Sequence, residues 1–155
     1  MKQSPAYRRV AERMAPGVLC RDGFLAPDRR RLEEILETDN SAVVGLGTTH
    51  QAIAARLQAV YDQARAGLGR HVEVGEGRSA LWREAMGRIP CPWGGCGTFA
   101  KGEVELTSAT TGETLRFTAL GIHLVEAHGF YQGRGSRYRL EPAALARALG
   151  LPEEG

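Results

Sequence analysis

A chain of 155 residues, 43% hydrophobic and 25% charged, has the composition of a folded globular protein and is long enough to bury a core without a metal or disulfide staple. A net charge of +2 excludes a strongly basic or acidic tail protein. No apolar run approaches the ~20 residues of a membrane helix, and the start, Met1-Lys2-Gln3-Ser4-Pro5, leads into an amphipathic stretch instead of a signal-peptide core.

Residues 5–14 place Tyr7, Val10 and Met14 at helical spacing, and Pro16-Gly17 ends the pattern. Pro27 suits the first turn of a second helix, with Leu32, Ile35 and Leu36 inward and the charges from Arg29 to Glu34 in water. Residues 48–68 are expected to form the longest helix. There Thr48 and Gln51 make a capping box, Ile53, Leu57, Val60, Tyr61, Ala64 and Leu68 recur at steps of three and four, and Gly67 and Gly69 close it. His71 to Val74 reads as a short strand broken by Gly75-Glu76-Gly77. Ser79 to Met86 reads as a short helix closed by Gly87, although Leu81 and Trp82 would also suit a strand. Residues 103–107 and 114–118 alternate with period two around Thr110-Thr111-Gly112, a hairpin burying Val104, Leu106, Leu115 and Phe117. Thr118 caps a helix over 119–128 with Gly129 as its terminator, and Pro142 opens a last one ending at Gly150.

Charge is uneven: residues 1–31 hold eight Lys/Arg against three acids, whereas residues 91–155 hold six against seven. A basic leading segment is compatible with an anionic partner without demanding one. Three widely placed cysteines do not make a disulfide framework. Cys20, beside Val18 and Leu19, reads as a small buried hydrophobe.

The segment from residue 91 to residue 128 carries the chemistry. Cys91-Pro-Trp-Gly-Gly-Cys96 is a tight turn that can aim two thiolates at one ion, and His123 and His128 lie on the short helix that follows the hairpin. Zinc takes four tetrahedral sulfur and nitrogen donors, so Cys91, Cys96, His123 and His128 are the expected ligands of a structural zinc. Residues five apart lie about 140° apart around a regular helix, so His128 is expected in a loosened last turn. The order of cysteine turn, hairpin and histidine-bearing helix resembles Cys2His2 zinc fingers, and the order of elements is similar to a treble-clef finger. The resemblance covers about 38 of 155 residues and implies a structural metal held by these four side chains. In Cys2His2 fingers the cysteines sit on the hairpin, and a shorter segment than residues 97–122 precedes the first histidine.

Other constellations compete. Glu126 between the two histidines raises a zinc-dependent hydrolase, yet the order matches neither His-Glu-x-x-His nor its inverse. Val43 to His50 superficially resembles a dinucleotide loop, but His50 occupies the third glycine position, which leaves a plain helix-to-helix turn. Residues 49–57 resemble the first helix of a helix-turn-helix, whose turn is missing after Leu57. From Gly129 to Leu140 there are three arginines and three aromatics without an acid. Arg134, Arg137, Tyr138 and Arg139 are therefore the expected nucleic-acid contacts, against the plainer reading of a loop docked over the hairpin with Phe130 and Tyr138 as anchors.

The expectation is one α+β domain over residues 1–155. It has a mainly helical part (1–90), a zinc-finger-like part (91–141) and a C-terminal helix (142–150), with the helical layer packed on the zinc-bound hairpin and helix. The expected function is that of a soluble, cytoplasmic, zinc-stabilised binding module with no membrane partner. Nucleic acid is its first partner to test, and a protein-interaction or regulatory subunit the alternative.

Overall fold

Ser4 accepts a hydrogen bond from the Tyr7 amide and Pro5 occupies the first turn, so helix α1 (Pro5–Arg13) begins where the sequence places it. The computed structural model describes residues 4–151. Val10 and Met14, on the inner stripe of α1, are buried. The second helix, α2 (Leu32–Gly45), starts five residues later than Pro27 promised. The Asp28 carboxylate accepts from the Arg30 amide (3.0 Å) and the Arg30 guanidinium (2.7 Å), and this local turn outcompetes the helix. A plain turn then leads into α3 (His50–Ala66), whose cap is Thr49 and not Thr48: the Thr49 hydroxyl accepts from the Ala52 amide at 3.0 Å. Leu68, assigned to the α3 stripe by spacing, lies past the helix end with φ 51° and is 85% exposed.

Strands β1 (Val72–Glu73), β2 (Arg78–Arg83), β5 (Glu103–Ser108) and β6 (Thr114–Thr118) form an antiparallel sheet in the order β1-β2-β5-β6. Between them, β3 (Arg88–Pro90) and β4 (Thr98–Ala100) form a separate two-stranded hairpin. The helix expected over residues 79–86 is therefore strand β2. Its residues 78–83 pair one for one with 108–103 of β5, and Ala80 and Trp82 point into the core at period two. The sheet ladder overrides the capping signal of Ser79, because β5 would otherwise present an unpaired edge. The 103–118 hairpin matches expectation, with Val104, Leu106, Leu115 and Phe117 all buried.

After β6 come α4 (Ala119–His128) and α5 (Pro142–Leu149). One apolar cluster lies between α3, the sheet and α5, and a second gathers α1, the start of α2, β3, Cys91 and Phe130. Helix α4 serves both, giving Ile122 and Val125 to the first and Leu120 and Leu124 to the second. Each such fully buried aliphatic side chain contributes roughly 1.5–3 kcal/mol relative to exposure. Little of α4 is left for solvent, and the residues outside the core are His123, Glu126, Ala127 and His128.

Candidate metal centre

Residues 91–97 are the turn of the β3–β4 hairpin, which pairs Ile89 with Phe99 and Pro90 with Thr98. Strands of three residues are too short to show a period, so residue spacing gives no sign of the strands that flank the turn. The turn needs left-handed backbone at Gly94 (φ 81°) and Gly95 (φ 71°), which glycine adopts without a steric penalty. It is held from outside by Arg13 of α1, whose guanidinium donates to the Pro92 and Trp93 carbonyls. The cysteines therefore do sit on a hairpin, as in Cys2His2 fingers, but on β3–β4 and not on β5–β6.

Helix α4 presents the imidazoles. Thr118 caps it through the Gly121 amide (3.0 Å), and Gly129 at φ 60° ends it, with the Phe130 amide bonding back to Leu124. The helix is regular through His128, so the loosened last turn is not found. Side-chain reach brings the rings together instead, with centroids 5.3 Å apart and planes at 81°. Each imidazole rests on an aromatic of the hairpin. Trp93 stacks on His128 at 4.1 Å, and Phe99 lies against His123 at 4.7 Å. These two supports, with Arg13, were missed from sequence; the aromatic inside the cysteine turn was the available signal.

The four donor atoms of Cys91, Cys96, His123 and His128 all lie within 4.8 Å of one another. His128 Nε2 is 3.4 Å from Cys91 Sγ and 3.8 Å from Cys96 Sγ. Donors around a tetrahedral zinc with bonds of ~2.0–2.3 Å sit roughly 3.3–3.8 Å apart, so the group is close enough to coordinate a metal. His123 Nε2 is buried without a hydrogen-bond partner among the described residues. A buried nitrogen left unpaired is costly, and a cation is the partner this donor set would accept.

Electrostatics point the same way. Burial lowers the pKa of both imidazoles, opposed at His123 by Glu126 and reinforced at His128 by the charge of His123. The shift favours the neutral form of both rings, which has a lone pair to give. Burial also pushes the Cys91 thiol up to about 11, so its proton leaves only when a cation replaces it. Glu126 is exposed on α4.

The segment after α4 looks different in three dimensions. The Arg139 side chain is 7% exposed and binds Asp39 at 2.5 and 2.9 Å, with further bonds to Glu141 and the Gln132 carbonyl. Arg137 and the Tyr138 hydroxyl both donate to Glu103 Oε1, at 2.8 and 3.2 Å. The Arg134 amide donates to Asp28, and its guanidinium lies 3.9 Å from Glu141. Acids distant in sequence thus engage a stretch that has none of its own. Phe130 and Tyr131 are buried anchors, and Tyr138 is half-buried. His50 bonds Tyr131 and Asn40 through its two ring nitrogens, at 2.8 and 2.9 Å, while Cys20 is half-buried against the second cluster.

Fold and site together define an α+β chain with a Cys2His2 group close enough to bind a metal ion, and no described helix is long and apolar enough to cross a membrane. Comparison with known protein families, with curated proteins and with solved structures finds no match.

Proposed function

We propose that Cys91, Cys96, His123 and His128 hold one structural zinc ion, and that the chain is a zinc-stabilised binding module of one domain. The observation that carries this is the orphaned, buried His123 Nε2 in a group whose four donors converge within 4.8 Å. Bound zinc would supply a tetrahedral cross-link and displace the cysteine protons. The protein's own residues do the rest: Trp93 and Phe99 orient the imidazoles, Arg13 steadies the cysteine turn, and the hairpin is tied to α4. Four protein donors leave no position for substrate or water, which favours a structural ion over a hydrolase that would use Glu126. One zinc per chain by metal analysis, lost in Cys91→Ser, is the expected result. A metal-free preparation with unchanged stability would sink the proposal.

The partner class to test first is single-stranded nucleic acid, which rests on the half-exposed side chains of Arg134 (56%) and Arg137 (53%) beside Tyr138. Arg139 is excluded from that test set because its charge is committed to Asp39. Binding that weakens steeply with salt and with Arg134→Ala plus Arg137→Ala supports this partner; affinity indifferent to both supports a protein partner instead. A reducing, cytoplasmic setting is part of this proposal, since cysteines that hold zinc must stay reduced.

A further inference from the structure

A cavity of about 230 Å³, lined by none of the four metal-site residues, opens beside the loop of residues 20–24. Phe24, Ile89 and Leu120 give it apolar walls, and Thr118 and Gln132 add polar groups. Gln132 has an unusual backbone conformation. It has φ 70°, a left-handed conformation that side chains other than glycine and asparagine rarely adopt. The residue is only 5% exposed, and its side-chain amide makes no hydrogen bond among the described residues; the fully buried unpaired side-chain atoms there belong to Glu103, His123 and Ser136, so the Gln132 amide keeps contact with open space. The backbone around it explains how the conformation is held. The Gly133 amide donates to the Phe24 carbonyl at 2.8 Å, the Leu140 amide to the Tyr131 carbonyl at 3.1 Å, and Arg139 to the carbonyl of Gln132 itself at 2.9 Å. Gln132 lines the cavity in this costly backbone conformation, and residues held so are characteristic of binding sites.

The lining is also charged. Lys101 and Arg21 line it without an acidic partner among the described residues, against the single unpaired acid Asp22; Arg137 is already held by Glu103. A largely apolar chamber with one amide not used within the protein and more unpaired cations than acids in its lining has the anatomy of a small-ligand site. Its volume bounds the ligand. An engineered apolar cavity of about 150 Å³ takes benzene, so a single ring with two small substituents fits, whereas dinucleotides and long acyl chains need roughly 300 Å³ or more. Free phosphate has no apolar body to match the walls, and a nucleobase edge presents more hydrogen-bonding groups than one amide and one hydroxyl satisfy.

We propose that this cavity binds a small aromatic monocarboxylate, with the ring between Phe24, Ile89 and Leu120, a polar ring substituent on the Gln132 amide and the carboxylate at Lys101 and Arg21. The site is separate from the metal donors, so its failure leaves the zinc reading intact.

The test is a titration of the full chain with 4-hydroxybenzoate, followed by amide NMR shifts. Saturable binding with a dissociation constant near or below about 1 mM is expected, with the largest shifts at the Gln132 side-chain amide and at Ile89 and Leu120. Lys101→Gln should weaken it about tenfold, and so should replacing the probe by uncharged 4-hydroxybenzyl alcohol. Gln132→Gly relieves the left-handed backbone, so the variant should melt no lower than the parent while losing the distinction between 4-hydroxybenzoate and benzoate. Because Cys20 lines the same cavity, 4-hydroxybenzoate should also slow its alkylation by iodoacetamide in the unaltered chain, read by mass spectrometry. Absence of saturable shifts, equal binding of the uncharged alcohol, or an unchanged Cys20 alkylation rate would each overturn the proposal.

Discussion

The indole of Trp93 lies flat on the imidazole of His128, with ring centroids 4.1 Å apart and planes within 5°. Phe130 meets the indole edge-on at 5.6 Å, so the ring that orients His128 is itself packed against the second apolar cluster. Groups that orient a metal ligand typically change affinity by about 10–100-fold when removed. Trp93→Ala should therefore bind zinc at least about tenfold more weakly in competition with a chromophoric chelator. Trp93→Phe, which keeps a stacking face, should recover most of that loss. If Trp93→Ala bound zinc like the parent, the stack would have no part in positioning His128.

Asp39 and Arg139, 100 positions apart, form a bidentate ion pair with side chains 2% and 7% exposed. The pair ties α2 to the segment that follows α4. Deleting one member strands the other charge in the interior, which costs about 3–5 kcal/mol, whereas replacing both by apolar groups of similar shape is often neutral. Arg139→Met and Asp39→Leu should each lower stability by about 3 kcal/mol in urea denaturation, and the double variant should lose less than either. Additive losses in the double variant would mean that the two charges act independently.

His50 gives the fold a defined acid limit. Burial lowers its pKa below the ordinary 6.5, with Asp39 opposing, and the neutral ring accepts from the Tyr131 hydroxyl while donating to Asn40. Below pH 6.5 the unfolded chain takes up the proton first. The stabilisation from His50 is thus complete above that value and lost as pH falls from 6.5 through the lower folded pKa. The His50 ring protons should titrate below 6.5 by NMR, and denaturation midpoints of zinc-loaded protein should fall over the same window. His50→Gln should flatten that dependence. A folded pKa above 6.5 would contradict the assignment.

Two left-handed positions should respond with opposite signs. Gly129 has φ 60°, and a Cβ there would lie 2.9 Å from His50 Nε2. Gly129→Ala should cost about 1–2 kcal/mol from the backbone conformation alone, more if His50 cannot yield, and should disturb His128 next to it. Leu68 has φ 51° and an 85% exposed side chain, so Leu68→Gly should leave stability unchanged or raise it by up to about 1 kcal/mol. Thermal melts of the two variants moving the same way would refute the argument.

Much of this was legible from residue order alone, where the decisive interactions are local. The helical spacing of Tyr7, Val10 and Met14, the stripe of α3 from Ile53 to Ala64, the alternating pair of strands at 103–118 and the Thr118-to-Gly129 frame of α4 each depend on neighbours a few residues away. So does the inventory of the metal group, because two cysteines in a glycine turn and two histidines on one helix are visible as text. Tertiary structure decided the rest, through partners far apart in the chain. Residues 78–83 are a strand because β5 needs a neighbour, although Ser79 could have capped a helix. Arg139 is structural because Asp39 waits 100 residues upstream. The cysteine turn meets α4 because β3 and β4 close a hairpin that carries Trp93 and Phe99 onto the two imidazoles. Local spacing specifies which side chains a helix or turn can offer, but their convergence on one point depends on how separate elements pack, and that is an outcome of the whole core.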